Sequence, residues 1–102
     1  MTLNDIASVS YTNAKKRQAN GGHISVETRS MLKHCATEVV EAMEAYTDLV
    51  YDDSKNAFAA ELADIICCCT IIAGRENIDL DKAVADCLEK NRKRAEGIGD
   101  KL

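Results

Sequence analysis

Apolar residues recur at helical spacing along most of the 102-residue chain, and the strongest stretch runs from Phe58 to Gly74. One stripe of this stretch contains Phe58, Leu62, Ile65, Cys69 and Ile72, widened by Ala59 and Ile66, with Cys67 and Ile71 on much of the other side. A helix that is apolar nearly all round is buried on more than one side. The pattern therefore predicts a central helix, with Gly74 as its C-terminal stop.

Three further helices are predicted around this one. The first spans residues 4–19 and ends before Asn20; its apolar stripe contains Ile6, Val9 and Ala14, with Tyr11 nearby. The second begins near Ser25, a plausible N-cap, and ends near Val50. Its apolar stripe contains Leu32, Cys35, Val39, Ala42, Met43 and Tyr46.

Polar residues mark the starts of the third and fourth predicted helices. The polar run Asp52, Asp53 and Ser54 offers caps for the third helix, and Asp79 or Asp81 caps a fourth helix that ends near Ala95. We expect an all-α, four-helix bundle-like fold whose second and third helices form a central antiparallel pair. The chain is expected to be one domain, residues 1–102, with a core at about 25–95 and a loose tail at 96–102.

Two acids, Glu61 and Asp64, interrupt the apolar third helix and share a face because they are three residues apart. Burying neighbouring carboxylates without partners is costly, since each loses water and repels the other. Either a metal ion or Lys and Arg side chains from a neighbouring helix must compensate, and this stretch alone leaves both open. A transmembrane helix is not expected, because the run is shorter than the ~20 residues that a bilayer needs and carries two acids.

Composition narrows the classes of partner. The chain has no Pro or Trp, one Phe, three Tyr and a net charge of -4, which argues against nucleic-acid binding. The N-terminus lacks a basic start followed by an apolar run, so no signal peptide is expected. The five cysteines, three of them consecutive, lack the Cys/His spacing of a zinc site. We expect free, buried thiols in a reducing cytoplasm.

A second acid pair at the same spacing, Glu38 and Glu41, lies on the second helix. If the two helices are antiparallel neighbours, four carboxylates converge, and they cannot all remain ionised without a cation. Oxygen ligands favour Mg²⁺, or Mn²⁺, over Zn²⁺. His34 precedes Glu38 by four residues but has no counterpart elsewhere, so the paired Glu-x-x-His motifs of a di-iron site are absent.

The stripe of the fourth helix, formed by Ala83, Val84, Cys87 and Leu88, turns polar and basic toward its end, where it reaches Asn91 and Arg94 with Lys90 beside them. Such residues either point into a site or form an ordinary helix end with cations in the last turn.

The two acid pairs, separated by 19 residues and followed by Lys90-Asn91-x-x-Arg94, resemble the signature of the MazG-like all-α nucleoside triphosphate pyrophosphohydrolases. Dimeric dUTPases and dCTP pyrophosphatases are relatives in that superfamily. The resemblance covers about residues 28–95. Many members have another acid just before the first motif Glu, where this chain has Thr37, and this departure leaves substrate choice open.

The resemblance implies a Mg²⁺-dependent hydrolase. Glu38, Glu41, Glu61 and Asp64 would bind the metal, with Glu38 or Glu41 orienting or deprotonating water. Lys90, Asn91 and Arg94 would contact a nucleoside triphosphate substrate, which would be split into a nucleoside monophosphate and pyrophosphate. Family members associate, and helix three is apolar on too many sides for one chain to cover. We therefore expect a homodimer or homotetramer, with no membrane or nucleic-acid partner.

Two other classes of function fit the same residues. One is a helical interaction protein whose acids form only salt bridges. The other is a nucleotide sensor that binds metal and nucleotide without turnover. Metal-dependent thermal stabilisation would exclude the first, and pyrophosphate release would exclude the second.

Overall fold

A computed structural model describes residues 1–52 and 55–97 and contains four helices: α1 (Leu3–Ala19), α2 (Thr28–Asp52), α3 (Asn56–Glu76) and α4 (Leu80–Ala95). The predicted all-α fold is confirmed. Asp53 and Ser54, two of the residues expected to cap the third helix, lie outside the described residues, as do residues 98–102 of the expected tail.

The predicted antiparallel pair is also confirmed. Thr28, at the start of α2, donates a side-chain hydrogen bond to Glu76 at the end of α3. At the opposite end of the pair, the rings of Tyr46 and Phe58 lie 5.6 Å apart, centroid to centroid. α3 packs against both α2 and α1 and is therefore the central helix of the fold.

The face that α2 buries differs from the predicted apolar stripe. Its buried residues follow one another at helical spacing: Met31, Glu38, Ala42 and Ala45. Of the predicted stripe, Ala42 is buried and Cys35 is half-buried, but four residues are exposed: Leu32, Val39, Met43 and Tyr46. They lie about 100° round the helix from the buried face. The chain thus packs the narrower, smaller side of α2 against α3 and leaves the larger apolar side uncovered.

α1 approaches α3 closely because small residues meet at the contact. Ala7 and Ala14 of α1 are buried, whereas Val9, predicted for this face, is half exposed. A Cβ atom at Gly74 would lie 2.7 Å from the Ala7 carbonyl oxygen and 2.7 Å from Tyr11 Cβ. Gly74 therefore lies within α3 and allows α1 to pack closely against it. The prediction that Gly74 ends the helix is wrong, because α3 continues to Glu76.

The helix ends depart from prediction by a few residues. α2 begins at Thr28, three residues after the predicted cap at Ser25. α3 ends at Glu76, and its C-cap Asn77 takes the left-handed conformation with φ 53°. Asp79 is the N-cap of α4. The other candidate cap, Asp81, instead accepts the backbone N–H groups of Leu3 (3.0 Å) and Asn4 (3.3 Å) at the start of α1.

α4 packs mainly against α1, and every residue of α4 from Lys82 onward is exposed. The predicted stripe Ala83, Val84, Cys87 and Leu88 is therefore uncovered in the single chain. The radius of gyration is 16.2 Å, against about 13 Å for a compact chain of this length.

α3 is longer than the apolar run Phe58–Gly74, whose short length was one reason for not expecting a transmembrane helix. With 21 residues it is long and apolar enough to cross a membrane by length and composition alone. The same test is passed by core helices of soluble proteins. In the single chain α3 packs against α1 and α2 and carries two acids on the face beside α2, and 17% of its apolar stretch is buried.

Candidate functional site

Three of the four predicted acids converge between α2 and α3. Carboxylate oxygens of Glu38, Glu61 and Asp64 lie within 4.8 Å of one another. Glu61 and Asp64 share a face of α3 because they are three residues apart, and the antiparallel packing brings Glu38 of α2 against that face. Two elements that are separate in sequence thus place three negative charges in a space the size of a metal coordination shell.

Glu38 is the most buried of the three, at 7% exposure. Its burial raises the pKa of its carboxyl group, and the nearby charges of Glu41 and Asp64 raise it further. His34 opposes this shift of the Glu38 pKa, and its Nε2 lies 3.0 Å from Glu38 Oε1. Without a cation, the surroundings therefore disfavour the ionised form of the Glu38 carboxyl group.

Two oxygens of this cluster, Glu38 Oε2 and Glu61 Oε2, are buried and have no hydrogen-bond partner. Within the described part of the chain, none of the four predicted acids is paired with a Lys or Arg side chain. The salt-bridge explanation of the acids therefore has no support within the chain. A hard divalent cation fits the donor set, because carboxylate oxygens are the ligands that Mg²⁺ and Mn²⁺ prefer.

Glu41 lies beside this group and is not part of it. It is exposed and one turn along α2 from Glu38, and its nearby charge is one cause of the raised Glu38 pKa. Its carboxylate is thus next to the three converging acids and accessible to solvent.

His34 and Cys68 are neighbours of Glu38 that the sequence analysis did not assign to the site. A nitrogen of His34, an oxygen of Glu38 and the sulfur of Cys68 lie within 4.8 Å of one another. The four-residue spacing of His34 and Glu38 was the available signal. Cys68 could not be found this way, because it is on a different helix and sits in a run of three cysteines.

The basic residues of α4 are not brought to the acids within one chain. Lys90, Asn91 and Arg94 are exposed, and α4 packs mainly on α1, away from the pair that carries the acids. Asn91 donates to Cys87 Sγ at 3.8 Å, within its own helix. Their predicted contact with a triphosphate stays a prediction.

Comparison with known proteins gives one match. The family model of the MazG nucleotide pyrophosphohydrolase domain matches residues 26–98, well over half of the chain. Neither the curated proteins nor the solved structures contain a significant match. The matched region includes α2, α3, α4 and all seven predicted site residues, and α1 precedes it.

Proposed function

Because the chain belongs to the MazG nucleotide pyrophosphohydrolase family, we propose that it hydrolyses nucleoside triphosphates between the α- and β-phosphates. Water adds to the α-phosphorus, the bond to the bridging oxygen breaks, and the products are a nucleoside monophosphate and pyrophosphate. Removal of surplus or non-canonical nucleotides is the role we propose for this reaction.

The observation that carries this proposal is the convergence of Glu38, Glu61 and Asp64 within 4.8 Å, with two buried carboxylate oxygens unpartnered. These residues, with Glu41 beside them, would hold Mg²⁺ or Mn²⁺. A bound divalent cation would offset phosphate charge and lower the pKa of a bound water.

Glu41 is the carboxylate that we assign to the attacking water. It is exposed and adjacent to Glu38, and it lies outside the close three-acid group, so its oxygens are free to accept a proton. Glu38 would hold the cation from the buried side.

Lys90 and Arg94 would stabilise the charge of the leaving pyrophosphate, and Asn91 would contact the substrate in the same site. Lys90 and Arg94 share a face of α4, since they are four residues apart. All three side chains are exposed and free to meet a ligand, or a site completed by another copy of the chain.

We further propose that the chain forms a homodimer or homotetramer. The apolar side of α2 that contains Leu32, Val39, Met43, Tyr46 and Val50 is exposed, and so are Leu62 and Ile66 of α3 and Leu88 of α4. Large exposed apolar side chains in this number are typical of a subunit interface. An assembled oligomer would cover it and supply α4 with a packing partner. The five free cysteines support a cytoplasmic location.

The test is release of pyrophosphate from a panel of ribo- and deoxyribonucleoside triphosphates, with Mg²⁺ and with EDTA. We expect metal-dependent release of equal amounts of pyrophosphate and monophosphate, with Asp64→Asn inactive. Asp48→Asn is the matched control, because Asp48 is exposed on α2 and lies outside the acid cluster.

Release of inorganic phosphate instead of pyrophosphate would place the cleaved bond elsewhere and contradict the proposed reaction. Nucleotide-dependent thermal stabilisation without any release would identify a sensor. Neither stabilisation nor release, from protein shown to be folded by circular dichroism, would favour an interaction protein.

A further inference from the structure

Glu38 faces a second group of potential ligands besides the acids of α3. His34 Nε2 is 3.0 Å from Glu38 Oε1, and the sulfur of Cys68 completes a group whose ligand atoms all lie within 4.8 Å. Glu38 is more than nine-tenths buried, and its other oxygen has no partner. The site is thus built by residues from two helices around a buried, unsatisfied carboxylate.

We propose that His34, Glu38 and Cys68 form a second cation site, which takes a divalent transition metal of the Zn²⁺ class. Imidazole nitrogen and thiolate sulfur are ligands for Zn²⁺ and Co²⁺, whereas Mg²⁺ requires oxygen. Three protein ligands leave a fourth position of a tetrahedral shell for water.

The site combines a half-exposed histidine with a buried thiol. His34 lines a cavity of about 170 Å³ together with His23, Ser30 and Arg17, so one ligand of the group is open to solvent. Burial raises the pKa of the Cys68 thiol to about 12. The ion therefore binds with release of the Cys68 proton to solvent, and no electron transfer is involved.

Glu38 belongs to both groups of ligands, and this makes the two sites compete. A Zn²⁺ ion held by His34 and Cys68 draws on the carboxylate that the oxygen site also needs. Micromolar Zn²⁺ would therefore inhibit Mg²⁺-supported hydrolysis, and excess Mg²⁺ would not fully restore it. This inhibition rests on the proposed function, whereas the binding site itself does not.

The first experiment is titration of the full chain with Co²⁺, followed by absorption spectroscopy. Cobalt bound to a thiolate gives a charge-transfer band in the near ultraviolet and d–d bands in the visible. We expect both bands. Equimolar Zn²⁺ should displace them, and Mg²⁺ should weaken them only in large excess, because the two sites share Glu38. Cys68→Ser should abolish the charge-transfer band. His34→Gln should weaken Co²⁺ binding by about tenfold or more, because loss of even an outer-shell partner of a metal site lowers the affinity by about 10- to 100-fold.

Two controls separate this site from its surroundings. Cys87→Ser removes an exposed thiol on α4 and should leave the spectrum unchanged. Asp64→Asn removes a ligand of the oxygen site only and should keep the thiolate band. His34→Gln changes a half-exposed side chain, so it tests the site even if the buried Cys68 substitution unfolds the chain.

A missing charge-transfer band in folded wild-type protein would overturn the proposal, as would a band that survives Cys68→Ser. Because the titration needs no turnover, an inactive protein that shows the band would contradict the proposed reaction and support the metal site. An active protein without the band would do the reverse.

Discussion

Glu38 of α2 and Asp64 of α3 face each other across the central helix pair, with carboxylate oxygens within 4.8 Å. The charge of Asp64 is one cause of the raised pKa of Glu38. Their proximity destabilises the metal-free fold and creates the place where a cation binds. Stability and activity should therefore respond to substitution in opposite directions.

Asp64→Asn should abolish turnover and raise the stability of the metal-free chain. The amide keeps the side-chain shape but removes one negative charge, which relieves a repulsion on the order of 1 kcal/mol. Thermal melts followed by circular dichroism in EDTA would measure the increase, and the same melts in Mg²⁺ should show a smaller metal-induced shift than the wild type. Asp48→Asn is the control, and normal activity in Asp64→Asn would exclude Asp64 as a ligand.

Arg94→Gln should lower kcat/KM for nucleoside triphosphates by about 10- to 100-fold, the range expected for losing a hydrogen bond to a charged group. Arg92→Gln is a matched control on the same helix. Arg92 projects to another face and is already paired with Glu89 and Glu96 at 2.8 and 2.9 Å. Steady-state kinetics would compare kcat/KM of the two variants. An equal decrease in both would show that Arg94 does not contact the substrate.

Met43→Lys should weaken self-association. Met43 is 67% exposed in the single chain and lies on the uncovered apolar side of α2. Burying an unpaired ammonium there should raise the dissociation constant by about tenfold or more. Sedimentation would measure the dissociation constant of Met43→Lys. Thr37→Lys is the control, because it adds the same charge on the polar side of α2. A monomeric wild-type protein at micromolar concentration would contradict the expected oligomer.

Gly74→Ala should destabilise the protein although alanine is the better helix former. The added Cβ would lie 2.7 Å from the Ala7 carbonyl oxygen, and a backbone atom in a packed helix cannot move cheaply. Overpacking of this kind costs about 1–3 kcal/mol. Urea or thermal unfolding would measure the loss; an unchanged or higher melting temperature would show that α1 does not pack on α3 in this way.

Asp79→Asn should lose a pH-dependent part of the stability. A hydrogen bond from Asn4, with a second from the Lys82 backbone, holds the pKa of Asp79 below its ordinary value. A carboxylate with a depressed folded-state pKa stabilises above its unfolded pKa, and this contribution is lost as the pH falls through the folded pKa. The wild-type advantage should thus be present above about pH 4 and shrink below it. Melting temperatures measured from pH 7 to pH 2 would show this, and parallel curves for the two proteins would contradict it.

The sequence determined the four helices, the antiparallel central pair and the three acids that converge, whereas Glu41, the fourth predicted acid, lies beside them. These follow from local rules: helical spacing sets which residues share a face, and a polar break between two amphipathic helices favours antiparallel packing. Glu61 and Asp64 were identifiable because acids in an otherwise apolar helix require compensation. Asp79 and Asp81 were both candidate caps because they precede an amphipathic run, and the structure selects Asp79.

Tertiary structure alone decided which face of each helix is buried. Size and hydropathy selected Leu32, Val39 and Met43 of α2, but the chain packs the side that carries Met31, Glu38 and Ala45. Small residues allow α1 and α3 to approach closely, and helical spacing within one helix cannot show which of its faces meets a neighbouring helix. The proximity of His34 and Cys68 could not be predicted from the sequence either. It depends on the register of two packed helices, and the residue pattern of each helix does not specify that register.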